Sequence, residues 1–383
     1  MTPYESPWMD DDLRMLREAV SRFVETEMLP HEPRWRAQHH VDRGTWRAVG
    51  GAGFLLMDVP ADYGGGGGDF RHEAVLYEEL NRRGISGFGQ GVHSIAAHYV
   101  LNYGSEEQKQ RWLPRMASGE LIGAIAMTEP GAGSDLKGIR TRAVLEGGEY
   151  VVNGSKIFIT NGSIATILML VVRTDPNDRS RGLSILMVET EGLQGYRVGR
   201  VLDKMGMTAQ DTSELYFEDV RVPADCLLGG VEGKGMHQLM GDLPYERITI
   251  ALGGVAAMEG AAAETASYVR ERKAFGHAIG EFQNTRFKLA EIFTHARVAR
   301  TFIDRCIELH LQGKLDVPTA AKTKLLSTDL QCKVMDECVQ LHGGYGYMWE
   351  YPVARAWADS RVQRIYAGSN EVMKLIISRA VLG

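Results

Sequence analysis

The sequence predicts an α+β multidomain fold: an N-terminal α-helical domain, a middle β-barrel or β-sandwich domain, and a C-terminal four-helix bundle. Three observations carry this. Apolar residues recur at helical spacing from Asp10 to about Gly119. From about Leu121 to Leu228 the period switches towards two, with turn signals at short intervals. From Gly233 onward the pattern is helical again. The expected domains are residues 1–120, 121–228 and 229–383.

In "DDLRMLREAVSRFVETEMLP", Leu13, Leu16, Val20, Phe23 and Val24 line one helical face and Pro30 lies beyond the end. "SEEQKQRWLPRM" opens with Ser105 and carries Gln108 three residues later, a capping-box start. The run Gly64 to Gly68 lacks the Lys-Ser/Thr of a phosphate loop and is expected to be a flexible turn. In the middle region, "EYVVNGSKIFIT" predicts two short strands around an Asn153-Gly154 hairpin. "ILMLVVR", "GLSILMVE" and "TSELYFEDVRV" continue the strand character, and that many short strands suggest a small barrel or sandwich. The last region holds a long helix rich in small residues, starting near "LPYERITI", where Pro244 suits the first helical position and makes Glu246 the third. Three further helical segments begin at Phe282, Pro318 and Pro352, and their short links predict an antiparallel bundle.

Composition narrows the function. With 383 residues, 44% hydrophobic and 24% charged, the chain is ordinary for a soluble globular protein with a large core. A net charge of -6 argues against nucleic acid, because phosphate binding needs clustered Lys and Arg. The longest apolar run, "IATILMLVV", is far short of the roughly 20 residues of a spanning helix, so no membrane insertion is expected. The start shows no basic region followed by an apolar stretch, so no secretory signal is expected. Cys226, Cys306, Cys332 and Cys338 form no CxxC and read as free thiols, which suits a cytoplasmic protein. No metal constellation stands out, since the adjacent His39 and His40 face different ways on a helix.

Several segments can carry chemistry, and each also has a purely structural reading. "TEPGAGSD" gives a close-approach glycine backbone with the hydroxyls of Thr128 and Ser134, or simply a turn. "KIFITNG" places Phe158 and Thr160 on one strand face, able to pack on and hydrogen-bond a planar ligand, or to serve as core and edge. In "RERKAFG", Arg270, Arg272 and Lys273 can complement a helix C-terminus, and Arg272 can equally grip a pyrophosphate. "QLHGGYGY" gives Gln340 and Gly343-Gly344, a helix C-cap and an approachable backbone. Glu246 is a helix-start helper or a base, and Arg247 projects about 100° away around the helix.

Taken together and in this order, "MTEPGAGSD", "GSKIFITNG", "ERKAFG", "FQ", "QLHGGYGY" and "IYAGSNEVM" resemble the acyl-CoA dehydrogenase family over essentially the whole chain. The resemblance implies FAD held between the β-domain and the bundle, with an acyl-CoA against the flavin. It implies flavin contacts from Ile125, Met127, Thr128, Gly133 and Ser134, with Phe158 packing on the ring and Thr160 near N5. Arg272, Phe275, Gln283, Gln340, Gly343, Gly344, Ser369 and Glu371 would bind the rest of FAD, partly across subunits, so a homodimer or, more usually in the family, a homotetramer is implied. Substrate contacts would come from Ser134, Tyr245, Arg247, Ala367 and Gly368. Relatives of the medium- and short-chain type carry the catalytic carboxylate at the position of Ala367; the long-chain and isovaleryl type carries it in the segment matching "PYER", at Glu246. Glu246 is therefore the expected base, removing the α-proton while the β-hydrogen leaves as hydride. The thioester carbonyl would be polarised by the Ala367 N–H. The substrate implied is a long or branched fatty acyl-CoA, the product a trans-2-enoyl-CoA, and the electron acceptor an electron-transfer flavoprotein. Desolvation by the substrate is expected to raise Glu246 against the opposing pull of a helix N-terminus. Two other readings stay open: an oxygen-using acyl-CoA oxidase-like flavoenzyme, and a catalytically silent acyl-CoA-binding flavoprotein.

Overall fold

The computed structural model describes residues 4–178 and 182–383. Helices α1 (Asp11–Phe23), α2 (Glu32–Gln38), α3 (Arg43–Gly51), α4 (Phe70–Arg82), α5 (Gln90–Tyr103) and α6 (Glu106–Ala117) come first. Asp10 caps α1 by accepting from the Leu13 N–H, and Ser105 with Gln108 forms the expected capping box of α6. The glycine run is no flexible turn. The N–H groups of Gly65, Gly66, Gly67 and Gly68 bond to carbonyls of residues 56–60, and a Cβ on Gly65 would lie 2.2 Å from the Val59 carbonyl oxygen. Glycine is needed there for close backbone packing, which pins the segment carrying Asp58 against α4.

The strands are β1 (Gly123–Ala126), β2 (Arg142–Glu146), β3 (Glu149–Thr160), β4 (Ile167–Arg173), β5 (Leu183–Glu189), β6 (Tyr196–Val201) and β7 (Thr212–Pro223). Among the described residues they form one curled, mixed sheet in the order β1-β4-β2-β3-β7-β6, with β5 on β4. "EYVVNGSKIFIT" is a single strand, not a hairpin. The turn lies at Gly147-Gly148, both at positive φ, between β2 and β3. Asn153-Gly154 marks instead a bulge in β3 against β7, where Gly154 at φ 152 passes so close to Thr141 that a Cβ would sit 2.7 Å from its Cα. A second irregularity between Lys156 and Ile159 puts Phe158 at φ 61.

The C-terminal region contains α7 (Gly235–Glu271), a small hairpin of β8 (Lys273–Ala274) and β9 (His277–Ala278), then α8 (Gln283–Leu311), α9 (Val317–His342), α10 (Pro352–Ser360) and α11 (Asn370–Leu382). Helix α7 starts at Gly235, so Pro244 lies inside it and Glu246 is not in its first turn. The helix-dipole argument for Glu246 therefore falls away. The expected fourth helix is also broken. Between α10 and α11 lies a 3₁₀ turn at Arg361–Arg364 and then Ala367 and Gly368, both at positive φ. No helix among the described residues is long and apolar enough to cross a membrane. All four cysteines are free thiols.

Candidate active site

Glu246 is buried, and its Oε1 accepts a hydrogen bond from the Tyr99 hydroxyl on α5 at 2.9 Å. Burial lifts its carboxyl to about 7, with Asp242 one helical turn away pushing the same way; the Tyr99 bond and the Arg247 charge oppose. Asp242 is itself raised to about 6 by burial, and its Oδ1 accepts from Asn102 at 2.8 Å. The result is a buried carboxyl poised near neutrality, as a general base requires. Because Tyr99 stabilises the carboxylate form, Tyr99→Phe is expected to raise the pKa of Glu246. The acid limb of any rate that needs the carboxylate should then move to higher pH, by up to about one unit for a lost charge-assisted bond. A stopped-flow pH profile reads this.

The neighbouring Arg247 is 2% exposed, and its Nε and Nη1 have no hydrogen-bond partner among the described residues. Burial lowers its pKa, and the facing Glu246 raises it in part. Lys324 on α9 is also buried and held down to about 8, first by burial and then by Arg247. Its Nζ donates to the Gly368 carbonyl at 2.9 Å and to Asn370 Oδ1 at 3.0 Å. Asn370 in turn donates to Asp329 and Thr328. This network fixes the break before α11, where Ala367 sits at φ 48, an unusual conformation for alanine. Among the described residues the Ala367 N–H makes no hydrogen bond. Ser369 caps α11 by accepting from the Val372 N–H, and Glu371 is exposed in its first turn.

A second group lies on the sheet. Ile125, Met127 and Thr128 are half-buried, while Gly133 and Ser134 are exposed on the loop after β1. The loop is tied to β3 by Ile157 N–H donating to the Thr128 carbonyl at 2.9 Å. A buried ion pair braces it: Lys156 Nζ lies 2.8 Å from Glu129 Oε1 and 3.0 Å from the Met127 carbonyl. Glu129 also accepts from the N–H groups of Arg140 and Thr141. Burial brings Lys156 down to about 8 against the pull of Glu129; in Glu129 burial is outweighed by Lys156, so its carboxyl lies below the usual range. Phe158 is 63% exposed and Thr160 half-buried, on either side of buried Ile159.

A third group sits at the end of the bundle. Arg272 caps α7, and its guanidinium stacks 5.1 Å above the Tyr345 ring, next to Gly343 and Gly344. Phe275, at φ 53 in the β8–β9 turn, is 93% exposed; Gln283 and Gln340 are exposed too. No hydrogen bond or ring contact among the described residues joins this group to the sheet group. Tyr245 does not open onto Phe158 or Thr160. It packs against Phe70 and His98 and donates to Asp58 at 3.3 Å.

The surroundings fit a flavin dinucleotide on observations of the chain itself. The Phe158 ring stands exposed on the sheet beside a loop where a Cβ on Gly131 or Gly133 would meet nothing within 4 Å. At the bundle end the Arg272 guanidinium, stacked on Tyr345, adjoins equally open glycine backbone at Gly343 and Gly344. One region offers a flat aromatic with hydroxyls, the other a pyrophosphate grip.

A three-part chain with a buried carboxyl on the first bundle helix is what the resemblance to acyl-CoA dehydrogenases implies. Family profiles agree: "Acyl-CoA dehydrogenase, N-terminal domain" matches residues 10–120, "middle domain" 124–220 and "C-terminal domain" 233–382. The chain belongs to the acyl-CoA dehydrogenase family and is an oxidoreductase of it. It is 46% identical over 371 residues to the mitochondrial long-chain specific acyl-CoA dehydrogenase of Mus musculus, covering 96% of this chain and 86% of that one. The crystal structure of an acyl-CoA dehydrogenase from Geobacillus kaustophilus superposes with a TM-score of 0.96 at 45% identity, over 99% of this chain and 100% of that one. A glutaryl-CoA dehydrogenase from Mycobacterium smegmatis in complex with FADH2 gives 0.91 at 28% identity, over 98% and 95% of the two chains.

Proposed function

We propose that this chain is an FAD-dependent acyl-CoA dehydrogenase that converts a long or branched fatty acyl-CoA to the trans-2-enoyl-CoA. The carrying observation is Glu246, buried and near neutrality, while the other position where the family places its base holds Ala367, which cannot take a proton. Glu246 removes the α-proton, and Tyr99 holds its carboxylate in one orientation. FAD, when bound, supplies the acceptor for the β-hydrogen as hydride. The free Ala367 N–H, held in place through Lys324 and Gly368, donates to the thioester oxygen and lowers the cost of enolate charge. Phe158, Thr160, Thr128 and the glycine loop receive the isoalloxazine, and Arg272 with Gly343 and Gly344 the pyrophosphate and adenosine end.

The electrons go to an electron-transfer flavoprotein, in the cytoplasm, from an enzyme that works as a homotetramer. Phe275, Tyr347 and Trp349 are large exposed aromatics that suit contact with a second copy. Sedimentation should show a tetramer, and Phe275→Asp should shift it towards smaller species with loss of yellow colour. The test of the main reading is anaerobic titration with acyl-CoAs of increasing length. Bleaching of the flavin supports it, and an unbleached flavin with every acyl-CoA removes it. Stoichiometric hydrogen peroxide on aerobic turnover would instead mark an oxygen-using enzyme.

A further inference from the structure

One turn along α7 from Glu246 lies a second set of buried polar groups that the proton transfer does not use. Asp58, on the segment pinned by the glycine run, has a 6% exposed side chain; its Oδ2 lies 3.1 Å from His98 Nε2 and accepts from Tyr245. His98 Nδ1 lies 2.7 Å from the Ser94 carbonyl, so both ring nitrogens face acceptors and the ring is a cation, raised to about 9: burial lowers it, but Asp58 outweighs this. Glu73, 0% exposed, accepts from the Met57 N–H, Gln90 and Ser94, and burial first, then Asp58, lifts it to about 8.

Four buried oxygens meet here: Asp58 Oδ1 and Gln90 Oε1, which lack a partner among the described residues, and the hydroxyls of Tyr77 and Thr249. The Tyr77 hydroxyl lies within hydrogen-bonding reach of the Ser94 and Thr249 hydroxyls. Two of the four are pure acceptors and two are hydroxyls that both give and take. Gly91 packs closely against the Tyr77 ring, where a Cβ would lie 3.3 Å from it. Thr249 follows Glu246 by three residues, about 4.5 Å along the axis. His98 adjoins Tyr99, the partner of the base. An acyl chain whose α-carbon lies at Glu246 and whose tail runs this way meets these oxygens a few carbons on.

We propose that this set is a specificity site for an acyl-CoA bearing a hydroxyl group on its acyl chain, a few carbons beyond the reacting bond. A hydroxyl donates to the unpaired Asp58 Oδ1 or Gln90 Oε1 and accepts from the Tyr77 or Thr249 hydroxyl. A second carboxylate finds no such match, because the free oxygens of Asp58 and Gln90 repel it. A plain hydrocarbon leaves Asp58 Oδ1 and Gln90 Oε1 unpaired and stripped of water, which weakens its binding. The inference rests on the acyl-CoA reading above and names the tail that site accepts.

The experiment uses FAD-loaded Glu246→Gln, so that ligands bind without turnover, and measures calorimetric affinity for pairs of acyl-CoAs of equal length. One of each pair is unsubstituted; the others carry a hydroxyl at successive positions from the γ-carbon outward. One hydroxylated isomer should bind at least about tenfold tighter than its plain counterpart. Adding Tyr77→Phe and Thr249→Val should collapse that ratio to within about twofold. Tyr77→Phe alone, the loss of a single oxygen, serves if the multiple variant does not accumulate as yellow protein. No hydroxylated isomer binding tighter than the plain chain overturns the proposal, leaving the oxygens to buried water. A preference that survives both substitutions overturns it too. Bleaching of the wild-type flavin by plain acyl-CoA keeps the dehydrogenase reading in either case, and bleaching by neither kind of chain removes both.

Discussion

Glu246→Gln is expected to yield yellow, FAD-loaded protein that binds acyl-CoA and is reduced by it about 10²–10⁴-fold more slowly, the span a positioned base supplies. Glutamine keeps the shape and still accepts from Tyr99, so the loss isolates proton removal. Stability should move the opposite way. The carboxyl of Glu246 is raised from about 4.3 in an unfolded chain to about 7 in the fold. The native state therefore binds its proton more tightly, and stability falls as pH rises from the first value to the second. Above pH 7 the buried carboxylate costs on the order of 4 kcal/mol, at 1.36 kcal/mol per unit. Glutamine does not titrate, so the variant should match or exceed the parent in thermal unfolding at pH 8, with the advantage gone at pH 4. Normal reduction of the variant by substrate would take Glu246 out of its role. A carboxylate returned by Ala367→Glu in the same background should restore part of the turnover, since that segment is already held at positive φ by the Lys324 network.

Glu246 was legible as a candidate base because the resemblance offers two places for one, and the other holds an alanine. Its neighbours were not. Tyr99 lies 147 residues from its partner, and nothing local in "AAHYVLNYG" marks that tyrosine as facing a carboxylate. Lys156 and Glu129 both sit within the quoted segments, yet an alternating strand pattern says only which face a lysine takes, not that a glutamate waits there. The errors of fold have local causes. Asn-Gly signals a turn because both residues tolerate positive φ, and a bulge needs the same freedom, so the dipeptide alone could not separate them; the true turn was the plainer Gly147-Gly148. Pro244 reads as a helix start since its missing N–H is harmless there, but α7 carries it internally, where tertiary packing against α4, α5 and α9 overrides the local cost. The broken last helix follows the opposite rule, because "YAGSN" contains its own stop and cap in Gly368 and Ser369.

The second large effect is structural and reaches the cofactor site. Lys156 has a 0% exposed side chain and Glu129 a 6% exposed one, so each is the other's only route to neutrality in a dry interior. Lys156→Met is expected to cost about 3–5 kcal/mol, because it strands the Glu129 carboxylate on two backbone N–H groups. The lost bond to the Met127 carbonyl also frees the loop from Thr128 to Ser134, so the protein should be purified with less flavin and need more FAD to refill. Chemical denaturation with visible absorbance separates the two effects. The discriminating partner is Lys156→Met with Glu129→Gln, which removes the stranded charge while keeping an acceptor for those N–H groups. If the pair acts through charge, the double variant recovers most of the stability while flavin affinity stays low, since Met127 remains unbraced. If the double variant is as unstable as the single, the lysine acts through packing of its stem, and the ion pair is incidental.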